Sequence, residues 1–482
     1  MRKLPLRAAA FTALGLTAAP ALAAGPIEEH TSPNGLTVLV VEDHALPLVT
    51  IEISAKNGSM TESPEYNGLS HLYEHMFFKA NKAMPSQEAY LVRVRELGII
   101  FNGTTSTERV NYFFTTTSDH FADSMVFMHD AIVSPLFNEK ELERERTVVT
   151  GEMDRAESSP FFPFQRAVDA QVWWKYPSTK DPLGNRKTVL SATSEKMRTI
   201  QARYYVPNNS VLVITGDVKA KDVFARTDTL YTDWAKGADP FKKFPVAKHP
   251  GIKKSVVVTV EQPVQSFTGQ VVWHGPSTVG KGVELTYAAD LLSTALSEPS
   301  SKFQKALVDS GACVAAGFSW FTQRNTGPIT LSFEAAPDRV DACAKAALAE
   351  LPKVAEPGYL SDEELANAAH SIEIDRVRER ERASGYAHLL TFWWTAASLD
   401  YYRGYVDNVK KATRAEIGTF LHDYVLGKPF VFGALVSPDM TKKGLNQEHF
   451  ESLAGLAKGT PATSAKAGST PAHGNPPPKG KH

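Results

Sequence analysis

The chain is expected to fold as an α+β protein of two homologous α/β-sandwich domains, each a mainly antiparallel sheet with helices packed on it. Three observations predict this. Strand patterns rich in β-branched residues interleave with helical ones, and the first two strands read as an antiparallel pair rather than as part of a doubly wound sheet. A length of 482 residues exceeds one ordinary domain, while 43% hydrophobic and 22% charged residues are the composition of a core-forming chain. The chain also repeats itself: Thr193 to Val206 followed by SVLVITGDV resembles Thr413 to Val425 followed by PFVFGALVSPD, at an offset close to 220 residues. Each copy is a helix ending in Tyr-Val, a polar turn and a buried strand.

Taken in order, residues 1–24 read as a secretory signal peptide: Arg2, Lys3 and Arg7 precede an apolar run that ends in Ala21-Leu22-Ala23. The run is short and contains Pro20, which favours cleavage over a membrane anchor. An N-terminal domain is expected over 25–234. Its residues 35–42 and 48–54 are the strand pair, Leu69 to Lys79 a helix with Asn67 as N-cap, and Arg109 to Thr117 a strand. His120 to Ile132 and Glu139 to Glu157 have helical periodicity, and Ser210 to Gly216 is a buried strand. Residues 235–252, dense in Pro, Gly and Lys, read as the linker, and 253–455 as the second domain. From 456 to 482 the chain has almost nothing to bury and is expected to be a disordered tail.

Removing Arg2, Lys3 and Arg7 with the leader turns 52 basic against 53 acidic residues into 49 against 53, a net charge of −4. A mildly acidic chain without basic blocks is a poor partner for nucleic acid or anionic membrane, and no later stretch reaches transmembrane length. Export to the periplasm or the medium is expected, the periplasm first. Cys313 and Cys343 are the only cysteines, and outside any CxxC they are read either as one disulfide or as two buried thiols.

The chemistry concentrates in GLSHLYEHMFF, residues 68–78. On a helix His71 and His75 are i and i+4, so both rings leave the same face and can converge on one metal ion. Glu74 lies beside that face and can reach a metal-bound water. A hydrolytic zinc needs a third ligand, and Glu145 and Glu152, i and i+7 on the helix Glu139 to Glu157, are candidates or simply solvated surface acids. His274 and His388 read as core or surface histidines, and Trp173-Trp174, Trp393-Trp394 and Phe161-Phe162 as packing residues.

His71-x-x-Glu74-His75, a gap of 76 residues and then Glu152 resembles the inverted zinc motif of the pitrilysin, insulysin and mitochondrial-processing-peptidase family, in its half-length, two-domain bacterial type. Phe101-Asn102-Gly103-Thr104 is similar to the family's Asn-Ala-x-Thr segment, and the opening strand and two-domain repeat match as well. The resemblance implies one Zn²⁺ per chain on His71, His75 and Glu152, with Glu74 and Glu145 as the catalytic acids. Of these, Glu74 is the base and Glu145 orients a zinc histidine. It implies that Asn102 holds the substrate backbone, although a turn Asn before Gly103 is the plain alternative. The activity implied is that of a zinc metalloendopeptidase acting on peptides or unfolded segments.

One segment departs from the pattern. Where the family carries an Arg and a Tyr that bind substrate and stabilise the tetrahedral intermediate, Ser300 to Val314 has Val308 and Val314. Family members of this length work as dimers, so the resemblance implies a heterodimer with a homologous zinc-less chain supplying the Arg and Tyr, or else a homodimer. The alternatives are a non-catalytic peptide-binding or assembly subunit of the same fold and, with less support, a hydrolase of a non-peptide bond.

Overall fold

The structure is a computed structural model and describes residues 25–456, so the expected leader and, past Leu456, the expected tail lie outside the described residues. The N-terminal half contains β1 (Glu28–Thr31), β2 (Thr37–Glu42), β3 (Leu48–Ala55), α1 (Leu69–Phe77), β4 (Ile100–Thr105), β5 (Val110–Thr117), α2 (Phe121–Val133), α3 (Glu139–Glu157), α4 (Phe161–Val172), α5 (Ser194–Tyr204) and β6 (Ser210–Gly216). The C-terminal half contains β7 (Val256–Glu261), β8 (Phe267–His274), α6 (Glu284–Ser297), β9 (Ala315–Trp320), β10 (Pro328–Ala335), α7 (Val340–Val354), α8 (Ala383–Ala396), α9 (Arg414–Tyr424) and β11 (Val431–Val436).

The sheet orders are β1-β2-β6-β3-β5-β4 and β7-β11-β8-β10-β9. In each half the last strand inserts into the sheet and runs parallel to an early strand, β6 to β2 and β11 to β7, while the other neighbours are antiparallel. The two sheets therefore correspond strand for strand from β2 onward, and the fold is the expected α+β class. The repeated segments open alike: Thr193 caps α5, and Thr413 caps α9 in a capping box with Glu416.

The expected pairing of residues 35–42 with 48–54 is corrected. β2 and β3 run antiparallel in direction, but β6 lies between them and bonds to both. Every residue of β6 is buried, and so apolar a strand gains most from the centre of a sheet, where both edges are paired.

The halves exchange helices. α4 leaves the N-terminal half and packs on the second sheet, where Phe164, Val168 and Val172 meet Val272, Val431 and Leu435. In return α8 lies on the back of β3 and β6, and Thr215 donates its hydroxyl to the Ala383 carbonyl at 2.7 Å. The expected boundary at 235–252, which carries only the short helix Pro240–Lys243, thus joins halves already interlocked by these helices. Cys313 and Cys343 form a disulfide that ties the start of β9 to α7, and among the described residues no helix is long and apolar enough to cross a membrane.

Candidate metal and catalytic site

α1 is anchored by its apolar face. Leu69, Leu72, Tyr73, Met76 and Phe77 are buried, each contributing roughly 1.5–3 kcal/mol, and Tyr73 and Phe77 stack on Tyr205 and Tyr112 with ring centroids 4.1 and 3.8 Å apart. Packing of this face leaves His71 and His75 on the other. Asn67 is not the cap. The residue before the helix is Gly68 at φ +93°, and buried Glu62 accepts from the N–H groups of Gly68 and Ser70, both at 2.8 Å. Gly68 also permits a close approach: a Cβ on Gly184 would sit 2.2 Å from its Cα. The loop after Asp181 thus runs against the start of α1 and brings Pro182 and Leu183 to the site.

α3 faces α1 and delivers two acids. His75 Nε2 lies 3.3 Å from His71 Nε2, Glu152 Oε2 lies 3.4 Å from His71 Nε2, and Glu152 Oε1 lies 3.7 Å from His75 Nε2. An ion bound at about 2.0–2.1 Å by tetrahedral ligands spaces them roughly 3.3–3.5 Å apart, so the three residues fit such an ion. Among the described residues they form the one group of three with ligand atoms this close together.

Glu145, one turn pair earlier on α3, reaches His75 Nδ1 at 3.0 Å. Holding the proton there leaves the Nε2 lone pair facing the ligand cluster. Lys79 Nζ meets the other oxygen of Glu145 at 2.9 Å. Although burial opposes it, His75 and Lys79 keep the Glu145 carboxyl below its ordinary range. Glu145 thus touches His75 and Lys79 and lies behind the ligand cluster, where it could orient the His75 ring. Exchanging it for Gln, or Lys79 for Met, is expected to lower zinc affinity by about 10–100-fold, measurable by competition with a chelator.

Burial, reinforced by His75, pushes His71 down to about 4, so its imidazole is neutral at pH 7. Between about pH 4 and 6.5 the metal-free fold then binds fewer protons at His71 than the unfolded chain does. The stability this confers is complete above about pH 6.5 and disappears as pH falls toward 4. His71→Gln in chelator-treated protein is expected to flatten the acid limb of thermal stability by about 2 kcal/mol between pH 7 and pH 5, read by comparing unfolding of the two proteins at those two pH values.

Glu74 stands beside the ligands, 8% exposed. Its Oε2 accepts from the Thr105 hydroxyl at 2.8 Å, and burial raises its carboxyl above the ordinary value. Gly103 makes room for it, since a Cβ there would lie 3.0 Å from Glu74 Oε1. Asn102 is in a strand, which corrects the turn alternative. It is exposed on β4 at the open edge of the sheet, with its Oδ1 2.9 Å from the Gly103 N–H. These groups share a cleft of about 540 Å³ whose apolar walls are Phe78, Leu91, Phe101, Pro182 and Leu183.

The remaining candidates lie elsewhere. His274 Nε2 donates to the Val172 carbonyl, 2.8 Å away, and His388 pairs with Glu52. Trp173 and Trp393 are buried, whereas Trp174 and Phe161 are about half exposed. Val308 packs against the second core, and Val314 is 58% exposed away from the cleft. Sequence reasoning missed Lys79, Thr105 and Glu62. The i+4 spacing of Lys79 from His75 is a local signal; Thr105 and Glu62 have none, because only the fold brings them to α1.

Two family models match the chain: Insulinase (Peptidase family M16) over residues 37–179 and Peptidase M16 inactive domain over residues 191–372. The chain is similar to an uncharacterized zinc protease of Rickettsia felis, 24% identical over 73% of this chain and 83% of that protein. It is also similar to the zinc protease PqqE of Helicobacter pylori, 25% identical over 79% and 87%. Among solved structures, a protease from Helicobacter pylori superposes with a TM-score of 0.76 at 22% identity, covering 85% of this chain and 99% of that one. The periplasmic protease PqqL of Escherichia coli superposes at 0.72 and 17% identity, over 93% of this chain and 52% of PqqL.

Proposed function

Because this chain belongs to the insulinase family, peptidase family M16, we propose that it is a secreted zinc metalloendopeptidase that hydrolyses peptides or unfolded polypeptide segments. The observation that carries this reading is the position of Glu74, held by Thr105 beside the His71, His75 and Glu152 ligand group on the wall of an open cleft. Those three residues would hold one Zn²⁺, which when bound polarises a scissile carbonyl and lowers the pKa of a water to roughly 7. Glu74 takes a proton from the attacking water and returns it to the amine nitrogen as the C–N bond breaks. The open edge of β4 offers backbone N–H and C=O groups to an extended peptide, and the exposed Asn102 is part of the same strand.

The lining of the cleft comes from residues 71–183 alone. An oxyanion donor from a C-terminal half would thus arrive on another chain, which supports action as the metal-bearing subunit of a dimer. The partner is a homologous zinc-less chain carrying the Arg and Tyr, or a second copy of this one. Val308 and Val314 favour a second reading, a non-catalytic peptide-binding subunit, since losing one such donor costs about a hundredfold or more in rate. The leader and the Cys313–Cys343 disulfide support an exported, periplasmic location.

The test is metal content of the purified mature chain together with cleavage of unstructured peptides and of an ester panel. One zinc with peptide cleavage by the chain alone supports the peptidase and refutes an obligatory zinc-less partner. Zinc without cleavage points to the heterodimer, and no zinc to the binding subunit.

A further inference from the structure

The turn between β4 and β5 is closed by the Ser106 N–H on the Arg109 carbonyl at 2.8 Å, and it carries a buried acid that faces away from the cleft. Glu108, 5% exposed, reaches into the C-terminal half. Its Oε2 accepts from the Arg324 N–H at 2.7 Å, and its Oε1 accepts from the Asn325 N–H at 2.8 Å and from Asn325 Nδ2 at 3.1 Å. Lys180, 9% exposed, grips the same loop. Its ammonium donates to the Thr326 carbonyl at 2.5 Å and to the Gln323 side chain, and sits 3.6 Å over the Trp173 ring. Thr179 and Lys180 hold φ of +49° and +64°, and Thr326 holds +56°. These non-glycine backbones persist in a sparsely populated region because the contacts between the halves fix them.

Both grips lead to the cleft. Three residues before Glu108 is Thr105, which holds Glu74; two residues after Lys180 is Pro182, part of the wall. A second connection runs behind the sheet. Fully buried Glu52 pairs with His388 and accepts from Thr391 of α8 at 2.6 Å and from Asn111 Nδ2 at 2.8 Å. Asn111 Oδ1 in turn accepts from Thr104 on β4.

Resting on the peptidase reading above, we propose that the C-terminal half positions the catalytic cleft. Glu108 and Lys180 are positioning residues through which the Gln323–Thr326 loop sets β4 and, through Thr105, the base Glu74. This gives the half matched by the inactive-domain model a part in turnover within its own chain, separate from any donor brought by a partner. Because the chain of contacts ends on the base and the peptide-binding strand and spares the three metal ligands, its loss should appear in kcat and leave zinc alone.

The experiment compares the zinc-loaded full chain with Glu108→Gln and Lys180→Met, reading zinc stoichiometry, kcat and KM on an unstructured peptide, and amide hydrogen exchange of residues 100–105. The expected result is one zinc per chain in all three, kcat lowered by about ten- to a hundredfold with a smaller change in KM, and faster exchange in 100–105. Unchanged kcat and unchanged exchange, with only a lowered unfolding temperature, would mean that the grips are merely adhesive and would overturn the proposal. Should Glu108→Gln not fold, Lys180→Arg beside Lys180→Met supplies the comparison, with recovery in the Arg variant expected. If the wild type cleaves no peptide on its own, its zinc content separates the heterodimer from the binding subunit as above, and exchange in 100–105 then decides alone: acceleration supports the positioning role, and no change overturns it.

Discussion

Replacing Glu74 by Gln is expected to lower kcat for peptide hydrolysis by roughly a thousandfold, within the range lost with a general base, while zinc content stays at one per chain. The two effects separate because Glu74 lies outside the ligand group of His71, His75 and Glu152. Gln preserves the shape and can still accept from Thr105, which is 2.8 Å from the carboxylate, so the cleft should not rearrange. What is lost is the ability to take a proton. Burial holds the Glu74 carboxyl above its ordinary value, which moves it toward the pKa of a proton acceptor working near neutrality. Stopped-assay kinetics and metal analysis on one preparation check this. Loss of zinc along with activity would make Glu74 a ligand instead.

Glu152→Gln is expected to have the opposite signature, with zinc and activity lost together. With the carboxylate gone, two imidazoles 3.3 Å apart remain, and an imidazole ligand does not offset the charge of a divalent ion. Zinc prefers three protein ligands in a catalytic site, and an amide oxygen is a much weaker donor than a carboxylate. A fall in affinity beyond a hundredfold, larger than the loss expected for Glu145→Gln, which leaves the ligands intact, would be read by metal content after dialysis against a weak chelator. Full zinc in Glu152→Gln would exclude it from the ligand set.

The parts of this site that are legible in the sequence share a helix face. His71 and His75 are fixed relative to each other by the helical repeat, and so are Glu145 and Glu152. Their meeting across two helices became an expectation only through the spacing that resembles a known family. Thr105 and Lys180 are invisible in this way, because a hydroxyl on a strand and a lysine in a loop acquire meaning only from neighbours dozens to hundreds of residues away. The misread pair β2 and β3 fails for the same reason. The two strands are rich in β-branched residues and follow each other across a short turn, as those of a hairpin would, and the strand that separates them, β6, begins at Ser210. The cysteines, 30 residues apart, carry no sign of their pairing in either flanking pattern.

The exchanged helices also dictate an order of events during synthesis. The first sheet is complete in sequence at Gly216, but the helix that closes its back ends at Ala396, 180 residues later. At about 5–20 residues per second that interval lasts roughly 10–35 s. Through it the buried Glu52 and the apolar backs of β3 and β6 stand open to whatever binds nascent chains. The topology itself thus sets a delay between completion of the first sheet and the closing of its back.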